Sequence, residues 1–139
     1  TRLGARVVRY VPDMYGTTDS PLHHGLATDR LVVAWSTAPV PPASRVAPSI
    51  DAAAPAPVLT PEPRAGDDVL RPAAAHPPVL WIEVPADFQR LVRRSPAAGT
   101  TWHSAVRRHF LWALDNGYVV TGLHRDAFTS RAYYILEAR

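Results

Sequence analysis

Cysteine is missing from this chain of 139 residues, and with it go a disulfide framework, a thiolate nucleophile and thiolate-ligated zinc. A cytoplasmic protein fits that absence. Lysine is missing too: the fifteen Lys-or-Arg positions are all arginine, set against twelve acidic residues for a formal net charge of +3. With so much alanine and proline, this bias is what a GC-rich coding sequence produces. Arginine also grips phosphate bidentately, but these arginines are scattered along the chain, whereas a nucleic-acid binder gathers them on one face. Nucleic acid is therefore not an expected partner. No run approaches the roughly 20 apolar residues of a membrane helix, and no basic-then-apolar leader heads the chain, so no membrane association is expected. The first residue is Thr1 rather than methionine, and the opening reads as the continuation of a domain that starts upstream.

Catalytic signatures are equally sparse. No Gly-x-Ser-x-Gly elbow supports a hydrolase. Among His23, His24, His103, His109 and His124, none shows His-x-x-x-His spacing with an accompanying acid. His103 and His109 are six apart, about 240° around a helix, so no metal site is expected. His109 reads as a hydrogen-bonded core histidine, and Trp81, Trp102, Trp112, Tyr133 and Tyr134 read as packing residues.

What is present is enough apolar material, 47% of residues, to build a core. Eleven of the fifteen prolines fall between Pro39 and Pro78, in a stretch otherwise dominated by alanine. Such a segment buries little and lacks backbone donors. It divides the chain into a first part over 1–38, a Pro/Ala-rich linker over 39–78 and a C-terminal α+β lobe over 79–139.

In the first part, Ala5–Tyr10 and Arg30–Trp35 are β-branched and aromatic runs of strand length. The breaker-rich segment between them is longer than a tight hairpin requires, which marks it as a working loop. In the lobe, Val79–Val84 predicts a strand closed by Pro85, then a short helix to Arg94, with a break over Ser95–Gly99. A long helix follows, capped by Thr100 or Thr101 and ending near Asn116, with Gly117 at the left-handed C-cap position. Its packing face gathers Trp102, Ala105, Val106, His109, Phe110 and Ala113; Ser104, Arg107, Arg108 and Leu111 fall opposite. Leu111 and Trp112, apolar on or beside the polar side, suggest a docking surface. Tyr118–Leu123 and Ala132–Leu136 predict two further strands around a loop over His124–Ser130.

Leu3-Gly4-Ala5 followed by a strand, Tyr15-Gly16, Gly25 and Asp29-Arg30-Leu31-Val32-Val33-Ala34-Trp35 resemble the later part of the GNAT superfamily of acyl-CoA-dependent N-acetyltransferases. Trp102, Arg107, Phe110, Gly117-Tyr118 and Tyr133-Tyr134-Ile135-Leu136 are similar to the tail of a branch with an extended C-terminal region. The resemblance implies an α+β fold with a mixed, mostly antiparallel sheet and packed helices. It also implies acetyl-CoA as co-substrate and a small-molecule amine as acceptor. The family's Arg/Gln-x-x-Gly-x-Gly/Ala pattern, which holds the pyrophosphate at a helix N-terminus, does not occur here; by resemblance it would precede Thr1. The residues on or beside the first loop, Tyr15, His23, His24, Asp29 and Arg30, are then the acceptor-side candidates. Asp29 could hold an ammonium group and a histidine could take its proton. A plainer reading makes Asp29 and Arg30 a loop-end ion pair and the two histidines surface residues. The function expected from the resemblance is N-acetyl transfer. The alternative is a non-catalytic α+β interaction module whose sheet edge and helix bind a protein partner; a homodimer or docking on an upstream domain is expected on either reading.

Overall fold

The computed structural model describes residues 5–16, 25–35, 58–60, 76–126 and 131–139. The fold is α+β. Strands β1 (Arg6–Val11) and β2 (Arg30–Ala34) form an antiparallel pair. A second sheet contains β3 (Val58–Leu59), β4 (Val79–Pro85), β5 (Tyr118–Asp126) and β6 (Arg131–Ala138), in the order β3-β4-β6-β5. All its pairings are antiparallel except β3 with β4. Helices α1 (Phe88–Arg94) and α2 (Pro96–Asp115) lie between β4 and β5 in the chain.

Period-two alternation determines which side of the second sheet is dry. Leu80 and Ile82 on β4 and Leu136 on β6 have no exposed surface, and they join Phe110 and Ala113 of α2 in one core cluster with Tyr118 and Leu59. Tyr118 can be this deep because its hydroxyl donates to the Pro77 carbonyl at 2.8 Å, which satisfies the polar end of a large ring. Leu59 is a correction to the sequence reading. It lies inside the stretch taken as a linker, yet it is 5% exposed and opposite Ile82 in a parallel bridge. A single leucine flanked by prolines shows no periodicity, so its burial depends wholly on a distant strand.

The long helix starts earlier than its threonines suggest. Ser95 is the N-cap, its Oγ accepting from the Ala98 N–H at 3.2 Å, and Pro96 occupies the first helical position. There its missing donor costs nothing. Thr100 and Thr101 instead donate back to the carbonyls of Pro96 and Ala97. At the other end Gly117 has φ 83°, the left-handed value expected of it. β5 runs on to Asp126, through His124 and Arg125, where a loop was expected; residues 127–130 lie outside the described residues.

Gly99 in the first turns of α2 is buried because α1 crosses it closely. A Cβ at this position would lie 2.6 Å from Val92 Cγ2, and Val92 is 3% exposed. Glycine-to-alanine normally favours a helix by about 1 kcal/mol; here the overlap outweighs that gain, since forced repacking costs about 1–3 kcal/mol. Gly99→Ala is expected to lower Tm by a few degrees, and Gly99→Val to lower it further. A rise in Tm for Gly99→Ala would refute the close crossing.

The β1–β2 pair packs on the core rather than standing apart. Tyr10 and Leu31 lie against the cluster. The Tyr10 ring stacks on Phe110 at 5.2 Å, and Phe110 meets Tyr134 edge-on at 5.1 Å. Among the described residues no helix is long and apolar enough to cross a membrane.

Candidate functional site

Where the strand pair meets α2, one carboxylate collects the polar contacts. Asp29 is 8% exposed at its side chain. Its Oδ2 accepts from the Tyr10 hydroxyl at 2.6 Å and from Arg107 Nε at 2.8 Å. Its Oδ1 accepts from Arg107 Nη2 and from the Asp13 backbone N–H at 2.8 Å. Burial alone would push this carboxyl up; the guanidinium of Arg107, then the Tyr10 hydroxyl and the Asp13 N–H, outweigh it and hold Asp29 below its ordinary value. Tyr10 moves the other way, raised by burial and by its bond to the carboxylate. The Asp29 carboxylate raises Arg107.

The loop geometry delivers Asp29 to that position. Thr28, 1% exposed, accepts at Oγ1 from the Tyr15 N–H at 2.8 Å and gives its own N–H to Asp13 Oδ1 at 3.2 Å. The Thr28 carbonyl accepts from the Met14 N–H at 3.0 Å. Asp13 has φ 47°, a region that aspartate tolerates better than most residues. Thus the Asp13–Gly16 turn is laced to Thr28 and Asp29.

Several expectations change. Asp29 does not pair with Arg30: its partner is Arg107, on the other lobe and 78 residues on. Arg30 Nη1 donates to the Asp29 carbonyl at 2.8 Å, and its guanidinium lies 5.6 Å from the centre of the Tyr15 ring. Tyr15 itself is 63% exposed. With its lone pairs engaged, Asp29 is a structural anchor and not an open seat for an ammonium group. His23 and His24 lie outside the described residues. Arg107, assigned to the outer side of α2, faces the strand pair. The helix uses two faces, with Ala105, His109 and Ala113 buried and His103 and Arg107 turned to Asp29. A spacing of four puts His103 and Arg107 on one face, and that was the signal available.

Beside this anchor is a cleft of about 660 Å³. Leu26, Leu31, Val84, Phe88, Trp102 and Val106 contribute apolar walls, and Tyr10, Asp29, Arg30, Gln89 and His103 contribute polar groups. His103 Nε2 is 3.5 Å from Asp29 Oδ2 and has no hydrogen-bond partner among the described residues. The sequence reading did not single out Tyr10 or His103 for this site. His109 is buried at 1% exposure, and neither ring nitrogen has a hydrogen-bond partner among the described residues. It is a core histidine that makes no hydrogen bond among the described residues. Of the pair read as a docking surface, Leu111 is 36% exposed, while the Trp112 ring packs 6.1 Å from Tyr118. Among the described residues no group of three or more His, Cys, Asp or Glu could hold a metal ion.

No protein-family model matches the chain, and no curated protein or solved structure is significantly similar to it.

Proposed function

We propose that the chain forms the acceptor-binding part of a cytoplasmic GNAT-like N-acyltransferase, with a primary amine in the cleft beside Asp29 and acetyl-CoA held by a part of the fold outside these 139 residues. The observation that carries this reading is a carboxylate–histidine pair in the wall of a mostly apolar cleft. A drug-sized ligand fits a volume of about 300–1,000 Å³. Asp29, anchored by Arg107 and Tyr10, orients the His103 imidazole. The imidazole takes the proton from the ammonium group, and the freed amine attacks the thioester carbonyl. The new C–N bond replaces the C–S bond, and CoA leaves as the thiol. The apolar walls favour an amine with a hydrophobic body.

The test is thiol release from acetyl-CoA by the native polypeptide across a panel of primary amines. Apolar amines are expected to be acetylated, with His103→Gln lowering kcat about 100-fold, as loss of a general base does, at nearly unchanged KM. Absence of both saturable acetyl-CoA binding and transfer to any amine in the panel would overturn the reading.

A second reading, a non-catalytic interaction module, is favoured by one observation. Val8, Val33 and Trp35 on and beside the strand pair are 52%, 55% and 62% exposed, an apolar display that a partner would cover. Absence of acetyl-CoA binding, together with self-association that Val33→Asp abolishes, would select it.

A further inference from the structure

A second cleft adjoins the first across Pro85, where α1 meets the end of β5 and the start of β6. Its volume is about 900 Å³, and four arginines line it, Arg90, Arg94, Arg125 and Arg131, against two aspartates, Asp87 and Asp126. These arginines are scattered in sequence, but the fold gathers them. Arg90 and Arg94 are four apart on α1 and so share a face. Arg125 and Arg131 are brought together by the β5–β6 pairing, in which Arg125 is opposite Ala132 and Asp126 is opposite Arg131.

The charges are not mutually cancelled. Arg131 is committed to the buried Glu83 at 3.3 Å. Asp87 is engaged as the cap of α1, its Oδ1 accepting the Arg90 N–H at 2.9 Å, and Asp126 has a contact of its own. Arg90, Arg94 and Arg125 have no carboxylate partner among the described residues. Like charges around a concave surface repel one another and focus a positive potential into it. A bound anion relieves that repulsion.

We propose that this cleft is a binding site for a diphosphate group. Three guanidiniums, each able to hold two phosphoryl oxygens, carry more positive charge than the roughly −2 of one phosphate balances, and a second phosphoryl group makes up the difference. Pro85, Ala86 and Leu91 in the same lining leave apolar surface for an organic portion beside the charge. The site shares Pro85 with the Asp29 cleft, but its arginines are not among that cleft's lining, and the proposal does not depend on the acyltransferase reading.

Isothermal titration of the chain with inorganic pyrophosphate, ADP and orthophosphate tests the proposal. Pyrophosphate and ADP are expected to bind saturably and at least tenfold more tightly than orthophosphate. Tighter binding of ADP assigns the diphosphate to a nucleotide-like ligand, and equal binding assigns it to the group alone; either result supports the site. Arg90→Gln and Arg125→Gln should each weaken binding about tenfold or more. Arg90→Lys should weaken it less, because charge is kept while the fork is lost. All these positions are exposed, and circular dichroism verifies folding. The proposal is overturned if neither diphosphate saturates, or if Arg108→Gln, an exposed arginine outside the cleft, weakens binding as much as Arg90→Gln.

Discussion

Arg107→Met is expected to lower the unfolding free energy by about 2–3 kcal/mol, most of it from stranding the Asp29 carboxylate. Breaking a fully buried ion pair costs about 3–5 kcal/mol. The smaller figure follows from solvent access, since Arg107 keeps 31% of its side chain exposed while Asp29 keeps 8%. The loss is not larger because Tyr10 and the Asp13 N–H continue to satisfy the carboxylate. Asp29→Asn combined with Arg107→Met should cost less than the sum of the two single changes, because the double variant leaves no unpaired charge. Urea denaturation of the four proteins in the cycle measures both quantities. Additive effects, or a change below about 0.5 kcal/mol for Arg107→Met, the range of ordinary surface substitutions, would remove Asp29–Arg107 as the clasp between the strand pair and α2.

Stability should also fall in mild acid, and His109→Leu should abolish much of that fall. Burial, then the nearby Arg108 charge, lower the His109 imidazole from 6.5 to about 4. Its folded value is depressed, so the unfolded chain takes up the proton first as the pH drops. The contribution is fully present above about pH 6.5 and is lost progressively between there and about pH 4, amounting to about 3 kcal/mol. Asp29 adds a loss at lower pH. Its folded carboxyl is also depressed, so its stabilisation is present above the unfolded carboxylate range of about 3.9 and declines as the pH falls below it. His109→Leu removes the upper step together with a buried polar group that has no hydrogen-bond partner among the described residues. At pH 7 it should stabilise the fold by about 1 kcal/mol. Destabilisation at pH 7 with the acid slope unchanged would mean that His109 has a bonding partner in solution.

Much of the fold was legible because most elements carry their own periodicity. β1, β2, β4 and β6 are short β-branched and aromatic runs with clear ends, and the C-terminal half of α2 shows its apolar stripe. What remained hidden was non-local. Leu59 has no pattern of its own and is buried only because Ile82 lies across from it. Pro96 and Gly99 read as helix breakers, yet one sits at the only helical position that welcomes proline and the other where α1 leaves no room for a side chain. A single packing face on α2 places Arg107 opposite the core, but the helix packs on two faces. Asp29 was recognised as a residue of interest, but adjacency suggested Arg30 as its partner. The pairing 78 residues away depends on how the strand pair lands on the helix, which local pattern does not encode. Tyr10 was visible only as a strand residue, and its hydroxyl acquires a role only once Asp29 arrives beside it.

The account rests on the strand pair being clasped to α2 through Asp29, which creates the wall that His103 and Tyr10 share. Native-state amide hydrogen exchange tests this directly. In the wild-type chain the β1–β2 amides should show protection approaching that of β4 and β6, and Arg107→Met should lower protection selectively in β1–β2 while leaving β4 and β6 far less affected. Unprotected β1–β2 amides in the wild type, or an equal loss across all strands in the variant, would contradict it.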